Sequence, residues 1–153
     1  MPHINEKLDF CSEVFVVYDN KVLLRKHDKL DIWLSVGGHI EPNEDPCEAA
    51  IREVKEEVGL GIKLYENSKL SHLNTNQWKS LPNPTHVCRH NITEIHEHVV
   101  FIYYAESKTN KIIIPKTEKE TECKWFSLED LNKDTEIKDE IKHMAKEALI
   151  IFS

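Results

Sequence analysis

The stretch Gly38-His39-Ile40-Glu41-Pro42-Asn43-Glu44-Asp45-Pro46-Cys47-Glu48-Ala49-Ala50-Ile51-Arg52-Glu53-Val54-Lys55-Glu56-Glu57-Val58-Gly59-Leu60 decides how this chain is read. Its second part has the marks of a helix with both ends specified. Asp45 is a good N-cap, Pro46 suits the first helical position, and Glu48 completes an Asp-x-x-Glu capping box. Gly59 supplies a left-handed C-cap. Cys47, Ala50, Ile51, Val54 and Val58 recur at helical spacing and predict one apolar face. The charges work against this helix. Glu56 and Glu57 fall in its last turn, at the negative end of the macrodipole, where each costs roughly 0.3–1 kcal/mol when exposed. Glu53 lies three residues before Glu56 and four before Glu57, and like charges at these spacings cost a further ~0.2–0.5 kcal/mol per pair. Arg52, four residues from both Glu48 and Glu56, is placed to bridge them. A solvated acidic face would leave the remaining repulsion in place, whereas a divalent cation would reverse its sign. Carboxylates suit Mg²⁺, which takes oxygen ligands. They do not suit structural zinc, which usually takes sulfur and nitrogen.

Outward from this helix the chain reads as one domain, residues 1–153, of mixed strands and helices. Its 153 residues can bury a sizeable core. Its charged fraction of 31% exceeds the roughly 25% usual for soluble domains. Phe10 to Tyr18 and Lys21 to Lys26 predict a β-hairpin about the Asp19-Asn20 turn. Trp33 to Val36 predicts a short strand ending at Gly37-Gly38. Ile62 to Tyr65, His98 to Ala105 and Cys123 to Phe126 predict further strands. The polar stretch from Ser71 to Thr93, with Pro82 and Pro84, reads as a long loop of the kind that often carries function. Ser127 caps a short helix, and a last helix, about Glu136 to Ile151, is expected to bury Ile137, Ile141, Met144 and Leu149. The expected class is α+β, a sandwich about a mixed sheet.

Composition excludes some partners. The formal net charge is −7, and no basic run offers a face to long nucleic acid. No run approaches the roughly 18 apolar residues of a membrane span. Residues 1–7 lack a basic segment followed by an apolar one, so no secretory signal is read. Cys11, Cys47, Cys88 and Cys123 are widely spaced, without a Cys-x-x-Cys pair. Reduced thiols in a cytoplasm are the simplest expectation.

Read from Gly38, the fixed positions Gly38, Glu44, Arg52, Glu53, Val54, Glu56, Glu57, Gly59 and Leu60 resemble the Nudix box without a gap or substitution. The hairpin, the Trp33-to-Gly38 approach and the Lys124-to-Leu128 passage are similar to that family as well. The resemblance implies a Nudix-like α/β/α sandwich with a central mixed sheet. It also implies a pyrophosphohydrolase that cuts a diphosphate bond in a nucleoside diphosphate linked to another group, using Mg²⁺, with Mn²⁺ able to substitute. It assigns Gly38 (through its carbonyl), Glu53, Glu56 and Glu57 to the metal, and Glu53 also to proton transfer from the attacking water. Arg52 orients the carboxylates, Glu44 ties the loop to the helix, and Gly59 ends the helix. Members often use a further carboxylate outside the box. Glu97 is the first choice here and Glu106 the second, each weighed against an ordinary surface glutamate. Family members are often dimers, so a homodimer is among the implied partners, beside a small nucleotide-type diphosphate.

Other features compete. His86, Cys88, His90, His96 and His98 could form a transition-metal site, and His96 and His98 share a strand face. No standard zinc spacing appears. Among the aromatics, Trp125 and Tyr18 read as core, and Trp78, in the polar loop, as a base-stacking candidate. Two other functions share the fold: a catalytically inactive module that senses nucleotides or metabolites, and an isomerase of isoprenoid diphosphates. Intact Glu53, Glu56 and Glu57 weigh against the first, and a box that follows the hydrolase pattern weighs against the second.

Overall fold

A computed structural model describes residues 3–116 and 121–153. Its centre is the pairing of β1 (Leu8–Tyr18) with β7 (Glu97–Ser107), which run parallel in register from Leu8↔Glu97 to Val17↔Glu106. Val, Ile, Phe and Tyr fill both strands because each is covered on both faces. β1 turns into β2 (Lys21–Lys26) through Asp19 and Asn20, both at positive φ (45° and 59°). That two-residue turn matches the right-handed twist of the strands it joins. The other strands are β3 (Trp33–Leu34), β4 (Val36–His39), β5 (Ile62–Leu64), β6 (His86–Asn91) and β8 (Cys123–Ser127). β4 pairs with β1, β5 and β6 pair with β7, and β3 and β8 pair with β2. The helices are α1 (Pro46–Val58), α2 (Leu128–Lys133) and α3 (Asp139–Ile151).

Strand alternation divides the core into two halves. Val14, Val16, Leu23, Tyr103 and Ala105 face Ala50, Val54 and Val58 of α1. Phe15, Val17, Leu24, Tyr104 and Phe126 face Leu131 of α2 and Ile141, Ala145 and Leu149 of α3. The result is the expected α/β/α sandwich about a mixed sheet. No described helix is long and apolar enough to cross a membrane.

The structure corrects several sequence expectations. The strand predicted to end at Gly37-Gly38 is two strands broken at Ser35, and both glycines lie inside β4. Gly37 is needed for close approach: a Cβ there would sit 2.2 Å from the Ser12 carbonyl oxygen of β1. The long loop predicted over Ser71–Thr93 contains a short 3₁₀ turn (Ser71–Leu73) and the whole of β6. β6 is exposed beyond its first residue, so no apolar alternation marks it, and it is held by its backbone ladder to β7. Ile51 is 44% exposed, while Ala49 and Glu53 are buried. The buried face of α1 is therefore rotated toward Ala49 and Glu53. α3 begins at Asp139, with Ile137 buried ahead of it, and Met144 is only partly buried. Tyr18 and Trp125 pack edge-to-face at 6.2 Å and are half-buried, at the rim of the core.

The capping of α1 follows the sequence closely. The Asp45 carboxylate accepts from the Cys47 and Glu48 amides, both at 2.8 Å, and Glu48 accepts from the Asp45 amide at 3.1 Å. Gly59 ends the helix at φ 72°. Asp45→Ala should lower the unfolding free energy by about 1 kcal/mol, measured by urea denaturation, and Asp45→Asn should recover most of that loss. An unchanged midpoint in Asp45→Ala would show that this cap carries no stability.

Candidate active site

One guanidinium organises the box. Arg52 grips Glu44 with two donors, Nε at 3.0 Å and Nη2 at 2.7 Å. Nη2 also donates to the carbonyl of His39, at 3.0 Å. Nη1 donates to Glu53 Oε1 and to Glu56 Oε2, both at 3.0 Å. A planar fork can serve this many acceptors at once, and a lysine could not. The expected bridge from Arg52 to Glu48 is not what forms, because Glu48 turns back to cap the helix. Glu44 takes its place and also accepts from the Glu41 amide at 2.8 Å. The loop before α1 is thereby fastened both to the helix and to the end of β4. The Arg52 hydrogen bonds hold the Glu44 carboxyl below the ordinary carboxylate range, and the Glu44 bonds raise the Arg52 pKa.

The three helix carboxylates differ in setting. Glu53 is buried, at 2% exposure, against the backbone of Gly38. A Cβ on Gly38 would come within 2.4 Å of Glu53 Oε1, so only glycine admits the carboxylate here. The Glu56 side chain is 51% exposed. Glu57 is largely buried and pairs with Arg25 of β2 at 3.2 Å. Part of the repulsion expected within the helix is thus offset by Arg52 and Arg25, and the Arg25 contact was not foreseen because it depends on tertiary placement. Glu53 and Glu56 nevertheless converge on one nitrogen atom. Glu53 and Glu56, beside the Gly38 backbone, offer oxygen atoms of the type a hard divalent cation takes, whereas Glu57 is turned to Arg25.

The candidates outside the box lie elsewhere. Glu97 forms a cross-strand ion pair with Arg89 of β6, its Oε2 accepting from Nε at 2.7 Å. Glu106 is exposed, opposite Val17 and Lys63. No described contact joins either to Glu53, Glu56 or Glu57. Trp78 is 46% exposed on the wall of a cleft of about 560 Å³. Lys69, Lys79, Phe101 and Tyr103 share that cleft, and Pro46 brings it to the start of α1. The lysines were passed over in the sequence, although Trp78-Lys79 sets an aromatic ring beside a cation.

The histidines of β6 and β7 separate. His86 binds Glu147 of α3 at 2.8 Å, and Tyr104 donates to the same oxygen at 2.9 Å. Cys88 is exposed. The His90 ring lies 6.0 Å from that of His98. His96 and His98 instead turn toward Asp9, His39 and His3, residues that no spacing in the sequence connects.

Comparison with known proteins bears on the family and the fold. A family model described as the NUDIX domain matches residues 13–147. Over 91 residues the chain is 35% identical to a dihydroneopterin triphosphate diphosphatase of Haemophilus influenzae, a match spanning 57% of this chain and 58% of that protein. It is 42% identical over 55 residues to the enzyme of the same name from Escherichia coli K12, covering 33% of this chain and 37% of that one. The matches thus span about three fifths of the first relative's length and just over a third of the second's. The crystal structure of a NUDIX-family hydrolase from Clostridium perfringens superposes with a TM-score of 0.86 at 38% identity, covering 95% of this chain and 98% of that one. A MutT protein from Methanosarcina mazei Go1 shares the fold at 14% identity, with a TM-score of 0.68 and 99% of each chain covered. A box built around Arg52, a family match over most of the length and near-complete superposition on a family hydrolase lead to one assignment: this chain belongs to the NUDIX family.

Proposed function

We propose that this protein hydrolyses a diphosphate bond in a small nucleotide-type substrate with the help of a divalent cation, Mg²⁺ or in its place Mn²⁺. The observation that carries the reading is the convergence of Glu53 and Glu56 on Arg52 Nη1, beside a Gly38 backbone that only glycine leaves open. Gly38, through its carbonyl, and Glu53, Glu56 and Glu57 would hold the ion. Bound there, it neutralises phosphate charge and lowers the pKa of the attacking water. Glu53, pressed against Gly38, would accept the proton of that water at a carboxylate oxygen. Arg52 fixes the direction of Glu53 and Glu56, and Glu44 fixes Arg52. Arg25 of β2 holds Glu57 through their ion pair.

The substrate is read from the cleft and the relatives together. Dihydroneopterin triphosphate, named for the two bacterial relatives, carries a flat heterocycle on a polyphosphate chain. Trp78 offers such a ring a stacking face, and Lys69 and Lys79 offer phosphate oxygens a cation. A flat heterocyclic triphosphate is therefore the favoured class. Glu97, tied to Arg89, acts as a catalytic residue only if that ion pair opens.

Two variants test the reading. Glu57→Gln should lower kcat by at least about 100-fold with little change in thermal midpoint, and near-normal turnover would contradict the role given to the carboxylates. Trp78→Ala should raise KM for a heterocyclic triphosphate while leaving stability unchanged, because its ring is exposed. Unchanged KM would remove Trp78 from the substrate site.

A further inference from the structure

A second polar cluster lies on the opposite face of the sheet from Glu53. Gly38 faces Glu53 on the α1 side, so strand alternation turns His39 to the other side, where it meets Asp9. Asp9 is 1% exposed. Its Oδ1 accepts from the Asn5 amide at 2.7 Å and its Oδ2 from the Ile4 amide at 3.0 Å. Three imidazole nitrogens surround the same Oδ2: His39 Nε2 at 3.2 Å, His96 Nε2 at 3.4 Å and His3 Nδ1 at 3.4 Å. The His98 ring stands 5.0 Å from that of His39 and 5.1 Å from that of His96. One donor atom from each of His3, Asp9, His96 and His98 lies within 4.8 Å of all the others.

Hydrogen bonding does not account for this arrangement. A charge-assisted N–H···O bond runs about 2.7–2.9 Å, shorter than all three approaches. Among the described residues neither ring nitrogen of His39, nor Nε2 of His96 or His98, makes a hydrogen bond. Yet His39 and His96 are 6% and 3% exposed, where unmet polar groups are costly. His96 Nδ1 lies 2.9 Å from the Glu6 carbonyl. A carbonyl only accepts, so Nδ1 carries the proton, and in the neutral ring Nε2 directs a bare lone pair at a carboxylate oxygen. Two lone pairs face each other stably when a proton or a metal ion lies between them, and separations of 3.2–3.4 Å are long for a shared proton. Ligand atoms about 2.0–2.1 Å from a tetrahedral ion sit about 3.3–3.4 Å apart, close to the 3.2–3.4 Å that separates the three histidine nitrogens from Asp9 Oδ2, and the other donor pairs of His3, Asp9, His96 and His98 lie within 4.8 Å. The outer contacts also fit: a ligating histidine usually gives its second ring nitrogen to a carbonyl or similar partner. His96 does so at Glu6, and His98 Nδ1 contacts Cys11 Sγ at 3.4 Å.

We propose that Asp9 and His96, with ligands completed from His3, His39 and His98, bind one transition-metal ion of the zinc class. The ion staples residues 3–9 to the start of β7 and the end of β4. It is a structural site, distinct from the carboxylate site on α1, and it stands whether or not the proposed hydrolysis is correct. Imidazole with carboxylate suits zinc, cobalt or nickel and not magnesium.

The test uses the full chain purified without a histidine tag and dialysed against metal-free buffer. Elemental analysis should find about one zinc-class ion per chain. Cobalt(II) added to chelator-stripped wild type should give visible absorption that saturates near one equivalent. Zinc should raise the thermal midpoint of the stripped protein, and Mg²⁺ should not. The Asp9→Asn/His96→Gln variant should lose affinity by at least about 10-fold, the loss that removal of even an outer partner brings. The Glu56→Gln/Glu57→Gln variant should retain the ion. Absence of both a co-purified ion and a saturating cobalt spectrum would overturn the site, as would loss of the ion in the glutamate variant with retention in the Asp9/His96 variant. Should the Asp9/His96 variant fail to fold, the cobalt titration of the wild type decides.

Discussion

The placement of one guanidinium governs the rest of the site. Arg52 is reached by Glu44 from the loop, by the His39 carbonyl from β4, and by Glu53 and Glu56 from its own helix. Loop, strand end and helix are thereby locked in one relation, and the carboxylates inherit directions that helix geometry alone would not set. The packing of α1 serves the same end. Ala49, Ala50 and Val54 bring the helix close to the sheet, and the rotation of its buried face toward Ala49 carries Glu53 inward against Gly38. An ionisable side chain is seldom buried to this degree without charge or hydrogen-bond partners. Arg52 provides one such partner.

Features that depend on neighbours in the chain were legible in the sequence. The hairpin turn at Asp19-Asn20, the Asp45–Glu48 capping box and the Gly59 cap all appear where local chemistry puts them. Features that depend on distant partners were not. β6 carries no apolar pattern because it covers no core, and only its ladder to β7 makes it a strand. Gly37 and Gly38 suggested a turn, yet their role is to let β1 and Glu53 approach a continuing strand. Arg52 had two acidic residues at helical spacing, and one of them was already committed to the cap. Arg25 reaches Glu57 only because β2 runs beside the end of α1. His96 and His98 showed a shared strand face, but Asp9 and His39 join them only through the pairing of β1 with β4 and β7.

Residues 38 and 39 connect the two halves of the account. Successive residues of β4 address opposite faces of the sheet. Gly38 adjoins the oxygen-rich set, and His39 adjoins the nitrogen-rich one. Arg52 further ties this strand end to α1 by donating to the His39 carbonyl. An ion held on the histidine face would stiffen the strand end that positions Gly38, whereas the chemistry itself would be confined to the carboxylate face.

The most direct measurement is product release from a panel of nucleoside and pteridine triphosphates, nucleotide sugars and dinucleoside polyphosphates, with and without added Mg²⁺ and in the presence of a coupled pyrophosphatase. The account predicts turnover of at least one diphosphate-containing substrate that disappears on chelation and returns with Mg²⁺ or Mn²⁺. Binding without hydrolysis across the panel, or hydrolysis undiminished after chelation, would contradict it.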